Sequence, residues 1–196
     1  MKNVRNSLLI LMTLTVMVFG QSKWAMDTAH SKLQFKAVHM GLIDVIGSFK
    51  DFKINLISTQ DDFSDANIEV TIKTASVNTD IEKRDGHLRS ADFFDVEKFP
   101  EASFKSKSIQ KTGESTYQVQ GDLTIRDVTK PVQLDVTLKG KAKSPWGQTV
   151  IAFQAFTTIN RTDWGLKWNR ALQSGGWLVS DNIDLMINVE FQQVNS

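Results

Sequence analysis

The residues of this chain that are best suited to chemistry lie in one short charged stretch, residues 84–92. Asp85, His87 and Asp92 bring carboxylates beside an imidazole, the groups that general acid–base catalysis uses. No nucleophile accompanies them, and the chain lacks the G-x-S-x-G, H-E-x-x-H, phosphate-loop and G-x-G-x-x-G signatures. We therefore interpret this stretch, with Arg84 and Arg89, as salt bridges and caps that hold an insert in place. Catalysis through Asp85 and His87 is the alternative.

Metal binding has little support in the residue spacing. His30, His39 and His87 are the three histidines, and none lies two or four residues from another. The acidic stretch from Asp61 to Asp65 lacks the glycine and the distal glutamate of an EF-hand calcium loop. We predict no metal site, no cofactor, and a solvated turn at residues 61–65.

Length and composition favour a single globular domain. The chain has 196 residues, of which 41% are hydrophobic, and it has no cysteine. A core of useful size is therefore expected, without disulfides or thiolate chemistry. The formal charge of +1 becomes −1 once Lys2 and Arg5 are removed with an N-terminal leader. Nothing in that charge balance favours nucleic acid as a partner.

The N-terminus has the pattern of an export signal. Lys2 and Arg5 precede an apolar run at Leu8–Phe19, and Val18 and Gly20 supply the two residues that define a cleavage site. The run is shorter than the roughly 20 residues of a membrane-spanning helix. We predict a cleaved signal peptide at residues 1–20, a periplasmic location and no transmembrane span in the mature chain. A retained anchor is the alternative.

The remaining sequence, residues 21–196, is dominated by alternation of apolar and polar residues. Strands are predicted at residues 31–39, 45–57 (with a bend at Gly47), 66–74, 102–110, 117–125, 132–138, 150–159 and 182–192. About eight short strands without a long amphipathic helix indicate an all-β sandwich or barrel with antiparallel pairing. An eight-stranded antiparallel barrel can hold one small ligand inside.

The segment 84–104 departs from this strand pattern and predicts a short helical insert. Thr79 and Glu82 just upstream fit a capping box, with Thr79 as the N-cap. The residues predicted to share one side of the helix are Ile81, Leu88, Ala91 and Phe94. A helical insert that buries aromatic side chains in an all-β chain is expected to cover one end of the barrel.

Aromatic residues are more numerous in the connections than a filled core requires. The chain has five tryptophans and twelve phenylalanines, and four of the tryptophans lie in connections between strands: Trp146, Trp164, Trp168 and Trp177. These side chains either plug the ends of a solid barrel or line an apolar tunnel. In a tunnel, ten buried methylene groups of a lipid would contribute about 8 kcal/mol before ordering costs. Such a site needs few polar groups, which agrees with the missing catalytic signatures.

Five motifs in order resemble the YceI-like family, described as polyisoprenoid-binding proteins with a lipocalin-like fold. They are DTAHSKLQFKAVHMG (27–41), RDGHLRSADFFDVEKFPEASFKS (84–106), GDLTIRDVTKPVQLDV (121–136), NRTDWGL (160–166) and GGWLVSDNIDLMINVEF (175–191). The resemblance covers residues 24–191 and implies an extended antiparallel barrel around a long-tailed amphiphile, with no reaction. Trp164 stands where the family usually has phenylalanine, which leaves the width of the tunnel near the rim open.

The sequence therefore predicts an all-β, extended antiparallel lipocalin-like barrel of about eight strands with short helical inserts at the rim. We expect an exported protein that sequesters or carries an isoprenoid or fatty-acid-like lipid. The predicted lining residues are Phe35, Ala37, Ile72, Phe94, Phe104, Phe153, Trp164 and Trp168, with His39 and Arg161 at the head group. The alternatives are a hydrolase or isomerase acting on the bound lipid, and a ligand-free stress or protein-interaction barrel. A homodimer is left open.

Overall fold

The structure is a computed structural model that describes residues 22–194, so the predicted leader lies outside the described residues. This part of the chain contains ten strands: β1 (Ser22–His39), β2 (Ile43–Phe49), β3 (Phe52–Ser58), β4 (Asn67–Lys73), β5 (Val77–Asn78), β6 (Glu101–Lys111), β7 (Thr116–Ile125), β8 (Val128–Lys143), β9 (Thr149–Asn160) and β10 (Asn182–Val194). An α-helix, α1 (Glu82–Arg89), lies between β5 and β6. No helix within residues 22–194 has the length and apolar character needed to cross a membrane.

The pairing of β1 with β10 closes the sheet into a barrel. β1 also pairs with β2 and with β3, which run one after the other along its opposite edge. β2 and β3 thus act as one bent strand, and eight strand positions surround the barrel: β1, β2–β3, β4, β6, β7, β8, β9 and β10. Every pairing is antiparallel, for example between Leu33 and Ile187. The predicted fold class is confirmed.

Antiparallel strands place successive connections at alternate ends of the barrel. We call the end with the connections 59–66, 112–115 and 144–148 the floor end. The rim end holds the connections 40–42, 74–100, 126–127 and 161–181. A β-bridge between His39 and Val179 joins the end of β1, just before the 40–42 connection, to the 161–181 connection.

Alternation along each strand divides the side chains between the barrel interior and solvent. In β8, Val132, Leu134 and Val136 border an internal cavity, whereas Gln133 and Asp135 are exposed. The three inward side chains are only half-buried. They retain accessible surface because they face empty space rather than a filled core.

The predicted second strand, residues 45–57, is broken at Lys50–Asp51 and does not bend at Gly47. Gly47 lies within β2, and a close contact with another side chain, rather than a bend, explains why glycine occupies this position. A Cβ atom at this position would stand 2.2 Å from Cζ of Phe35. The phenylalanine ring covers the glycine directly, so this close approach explains the residue type.

The predicted capping box is wrong. The N-cap of α1 is Ile81, and no side chain caps the helix. Asp85 is almost fully buried and accepts hydrogen bonds from the backbone N–H of Thr79 at 2.8 Å and from its hydroxyl at 2.5 Å. The Thr79 hydroxyl accepts a hydrogen bond from Nε of Arg84, and the N-cap position falls two residues later, so Thr79 does not cap the helix.

The predicted helix face is correct only in part. Leu88 and Phe94 border the barrel cavity. Ile81 is 51% exposed and Ala91 is also exposed. Because α1 ends at Arg89, residues 90–99 follow in turns, and a helical periodicity no longer decides which of their side chains face inward.

The floor end is closed by the connection 59–66. Phe63 is 5% exposed and packs against Trp24 and Phe153, with ring centroids 5.7 and 5.3 Å away. The hydroxyl of Tyr117 donates to the carbonyl of Asp62 at 2.8 Å. Asp61 and Asp65 are exposed, as the predicted solvated turn requires, but Phe63 between them points inward and plugs the floor end.

Hydrogen bonds to the carboxylate of Asp65 hold this plug in its fold. We therefore expect the floor end to lose stability in acid. Hydroxyl groups of Ser58 and Thr59, with the backbone N–H groups of Thr59 and Gln60, donate to its carboxylate. These bonds hold the pKa of Asp65 well below its ordinary 3.8. A carboxyl group with a lowered folded-state pKa stabilises the protein above pH 3.8, and this stabilisation is lost as pH falls through the folded value.

We expect Asp65→Asn to lower the melting temperature at neutral pH and to flatten the fall of stability below pH 3.8. Thermal unfolding across a pH series measures both effects. Asp61→Asn removes the same charge from an exposed neighbour and serves as the control. Equal responses of the two variants would contradict this role for Asp65.

Candidate functional site

The barrel encloses a cavity of about 240 Å³. Inward side chains of the barrel strands form its wall, with Leu88, Phe93 and Phe94 contributed by the rim insert. Among the described residues that line it, only Tyr117 and Arg161 have polar side-chain groups, and both donate hydrogen bonds to backbone carbonyls of the protein. An apolar cavity without polar partners holds water poorly and favours hydrocarbon.

Arg161 is 4% exposed, and its guanidinium is occupied by the protein itself. Nε donates to the carbonyl of Ser180 at 3.0 Å, and one terminal nitrogen donates to the carbonyls of Leu166 and Trp168. The other terminal nitrogen contacts a carboxylate oxygen of Asp181 at 3.1 Å. Burial lowers the pKa of Arg161, and Asp181 opposes that shift. The residue therefore borders the cavity but fixes the 161–181 connection rather than reaching toward a head group.

A second cavity of about 460 Å³ lies at the rim end, and we call it the rim cavity. It shares five lining residues with the barrel cavity: Phe35, Ala37, Leu88, Phe93 and Val179. Its remaining lining residues include His39, Lys83, Arg84 and His87, although the surface that faces this cavity is almost entirely apolar. The two cavities share part of their wall and together form a largely apolar compartment that reaches the rim end.

An aromatic cluster stands where the two cavities meet. The ring of His87 packs edge-on against Trp168 at 4.6 Å and against Phe93 at 5.1 Å, measured between ring centroids. Nε2 of His87 lies 2.8 Å from a carboxylate oxygen of Asp92. Asp85 bonds to Thr79 instead, so Asp85 and His87 belong to different hydrogen-bond networks.

The charged stretch at residues 84–92 mainly anchors the rim insert, as the sequence suggested. Arg84 donates to the hydroxyl and the carbonyl of Thr79. Arg89 donates to the carbonyls of Ala75 and Val77 and pairs with Glu82 at 2.9 Å. These contacts join α1 to the segment that precedes it.

Nine of the ten predicted site residues border one of the two cavities. The barrel cavity is bordered by Phe35, Ala37, Ile72, Phe94, Phe104, Phe153 and Arg161, and the rim cavity by His39 and Trp168, with Phe35 and Ala37 again. Trp164 borders neither. It is 3% exposed, packs in the core and donates its indole N–H to the carbonyl of Leu123 at 3.1 Å.

Sequence reasoning missed several lining residues. Phe63 lies in a stretch that reads as a polar loop, and Lys83 belongs to a helix whose placement depends on tertiary contacts. The alternation of Val132, Leu134 and Val136 gave a usable signal, since the inward positions of this strand border the cavity.

Within residues 22–194, one group of potential metal ligands converges outside the barrel cavity. Asp27, His30 and Glu190 bring ligand-type atoms within 4.8 Å of one another because β1 pairs with β10. Nδ1 of His30 lies 3.0 Å from Asp27, and this hydrogen bond raises the pKa of His30 and lowers that of Asp27. The hydrogen bond accounts for the arrangement of these two side chains.

The fold and its enclosed apolar cavity place the protein among the lipocalin-like barrels. The YceI-like domain matches residues 24–191, nearly all of the described chain. The chain belongs to the YceI-like family, as its motifs predicted.

Three similar proteins illustrate this membership. A UPF0312 protein of Pseudomonas putida strain W619 is 41% identical over 161 residues, which cover 82% of this chain and 80% of the relative. The YceI protein of Campylobacter jejuni is 33% identical with a TM-score of 0.69, covering 81% of this chain and 90% of that one. A domain from Saccharophagus degradans described as polyisoprenoid-binding is 19% identical with a TM-score of 0.62, covering 89% of this chain and 98% of that one.

The contacts of Arg161 predict a structural rather than a ligand-binding effect on mutation. Arg161→Met keeps the apolar stem but leaves buried carbonyls without donors, and we expect the free energy of unfolding to fall by about 2–4 kcal/mol. Denaturant unfolding measures this loss. Lys167→Met, at an exposed position of the same connection, should change stability little. Unchanged stability of Arg161→Met with weakened ligand binding would show instead that Arg161 contacts the ligand.

Proposed function

We propose that this protein is an exported carrier that holds one long-chain isoprenoid or similar lipid, with the hydrocarbon tail inside the barrel. The observation that carries the proposal is the barrel cavity itself. Its wall is apolar apart from Tyr117 and Arg161, whose polar groups already bond to the protein. The cavity therefore offers a ligand apolar contact and very little polar recognition.

Burial of hydrocarbon supplies the binding energy in this account. Each methylene group moved from water into the cavity contributes about 0.8 kcal/mol. Affinity then depends on the length of the tail and on how well it fills the space between Phe63 at the floor end and His39 at the rim. The head group would lie in the rim cavity, beside His39 and Lys83.

Two comparisons support a lipid as the ligand. The family to which the chain belongs has the same barrel, and the Saccharophagus degradans domain with this fold is described as polyisoprenoid-binding. An isoprenoid is the ligand that we carry over as a proposal, because its branched apolar chain suits a wall of aliphatic and aromatic side chains.

Export is proposed from the leader pattern. Residues 1–20 combine positive charges, an apolar run and a cleavage site, and they precede the described barrel. A periplasmic carrier would meet lipids that leave one membrane and need shielding from water before they reach another.

The arrangement of the charged residues favours binding over catalysis. The residues of the enzyme alternative, Asp85 and His87, point into separate networks, and Asp85 is buried beneath Thr79. General acid–base catalysis would require both groups to reach the same substrate atoms.

Native mass spectrometry of protein purified from a bacterial periplasm without detergent tests the carrier role. Ala155→Trp places a large ring in the barrel cavity, whereas Gln154→Trp adds the same ring to the outer face of β9. Displacing even two methylene groups costs about 1.6 kcal/mol of burial, so we expect roughly tenfold weaker lipid binding in Ala155→Trp.

The wild type and Gln154→Trp should carry a discrete lipid mass that is lost on denaturation. A bare polypeptide mass for the wild type, persisting after incubation with isoprenoid quinones and fatty acids, would contradict the proposal. The ligand-free protein-interaction barrel would then be the better account.

A further inference from the structure

Exposed apolar side chains gather at the rim end of the barrel. We call Met40, Leu42, Ile43, Ile81 and Trp177 the rim collar. Leu42 is 82% exposed, Ile43 64%, Trp177 58%, Ile81 51% and Met40 40%. Single exposed apolar residues are ordinary on protein surfaces, but several at one site indicate an interaction surface.

The collar residues surround the entrance to the rim cavity. Ile81 lines that cavity directly, and Trp177 precedes the lining residue Leu178. Met40 donates its backbone N–H to the carbonyl of Leu178 at 2.8 Å, which joins the β1–β2 hairpin to the 161–181 connection. Leu42 and Ile43 lie on the same hairpin, between the lining residues His39 and Val45.

Charges at the collar favour an anionic partner. Lys83 lines the rim cavity, and Lys167 adjoins the lining residue Trp168. The Arg170 carbonyl accepts a hydrogen bond from the backbone N–H of the lining residue Leu178. None of the three cations is in an ion pair within residues 22–194. The nearby carboxylates of Asp44 and Asp181 are already paired, with Lys36 and Arg161.

One exposed carboxylate next to the collar is not in an ion pair within residues 22–194. Asp80, next to Ile81, has no ion-pair partner in the described chain, and neither have Glu97 and Asp127 on other parts of the rim-end connections. Among the described residues adjacent in sequence to the collar or to the lining of the rim cavity, the three free cations outnumber the single exposed free carboxylate of Asp80. Cations close to apolar side chains suit a surface that presents anionic head groups above hydrocarbon.

We propose that the rim collar docks onto the surface of an anionic phospholipid bilayer, with the barrel entrance facing the membrane. Leu42, Ile43 and Trp177 would insert at the level of the head groups, and Lys83, Lys167 and Arg170 would contact phosphates. Docking goes beyond the carrier role and does not require a loaded cavity.

The closed floor end explains why the entrance at the rim would face the membrane. The floor end is plugged by Phe63, so a lipid tail enters and leaves through the rim. A tail that crossed open water between bilayer and cavity would expose its full apolar surface. A collar seated in the membrane lets the tail pass from hydrocarbon to hydrocarbon.

Flotation of the mature chain with vesicles tests the docking. One set of vesicles contains phosphatidylcholine alone, and the other contains phosphatidylcholine with phosphatidylglycerol. We expect the wild type to float with the anionic vesicles, and less so as salt rises, because part of the attraction is electrostatic.

Two variants with the same charge change provide a matched comparison. Leu42→Glu alters the collar, and Trp146→Glu alters a side chain that is 84% exposed at the floor end. We expect Leu42→Glu to weaken vesicle binding about tenfold or more, through lost apolar insertion and added repulsion, and Trp146→Glu to have no effect.

Absent binding of the wild type to both vesicle types at low salt would overturn docking, as would equal losses in the two variants. A wild-type dimer that Leu42→Glu dissociates, without vesicle binding, would assign the collar to a second copy of the chain and also overturn it. The mass of bound lipid is measured separately, so a failed carrier role and failed docking remain distinguishable.

Discussion

The antiparallel pairing of β1 with β10 is the interaction on which the remaining structure depends. It joins the first and last strands of the described chain, from the register of Met26 with Phe191 to that of Phe35 with Leu185. Without it, an open sheet would expose its apolar face and two unpaired edges. With it, eight strand positions enclose a space too wide for their own side chains to fill, and the inward residues become the wall of a cavity.

The two ends of this barrel are built differently, and the difference gives the cavity a direction. At the floor end, hydrogen bonds to Asp65 fold a short connection so that Phe63 packs inside the wall. At the rim end, Asp85 fixes the insert and Arg161 fixes the long connection. The side chains of Asp85 and Arg161 are buried, and both form hydrogen bonds with neighbouring backbone groups. These bonds fix the segments around the entrance in position without filling the cavity beneath them.

Much of the fold follows from local patterns in the sequence. The alternation in β4 and β8 and the order of the family motifs predicted a hollow antiparallel barrel with a rim insert, because side-chain periodicity in a strand is fixed by backbone geometry. The predicted lining residues Phe35, Ile72 and Phe104 border the cavity for the same reason.

What the sequence could not predict depends on contacts between distant segments. Trp164 reads as a rim aromatic residue, yet its indole N–H donates to the carbonyl of Leu123 on β7, and its ring packs in the core. Thr79 reads as a helix cap until the burial of Asp85 is known. From the sequence, Arg161 resembles a residue that binds a lipid head group, but in the fold its guanidinium donates to backbone carbonyls. In each case a polar group has a partner that no spacing rule reveals.

The most direct test of lipid binding in the barrel is a crystal structure of residues 21–196 purified without detergent. We expect continuous, elongated electron density inside the barrel, running from Phe63 toward His39 and too long for any buffer molecule. Side chains of β8 and β10 repacked into a filled interior, with no density between them, would contradict it.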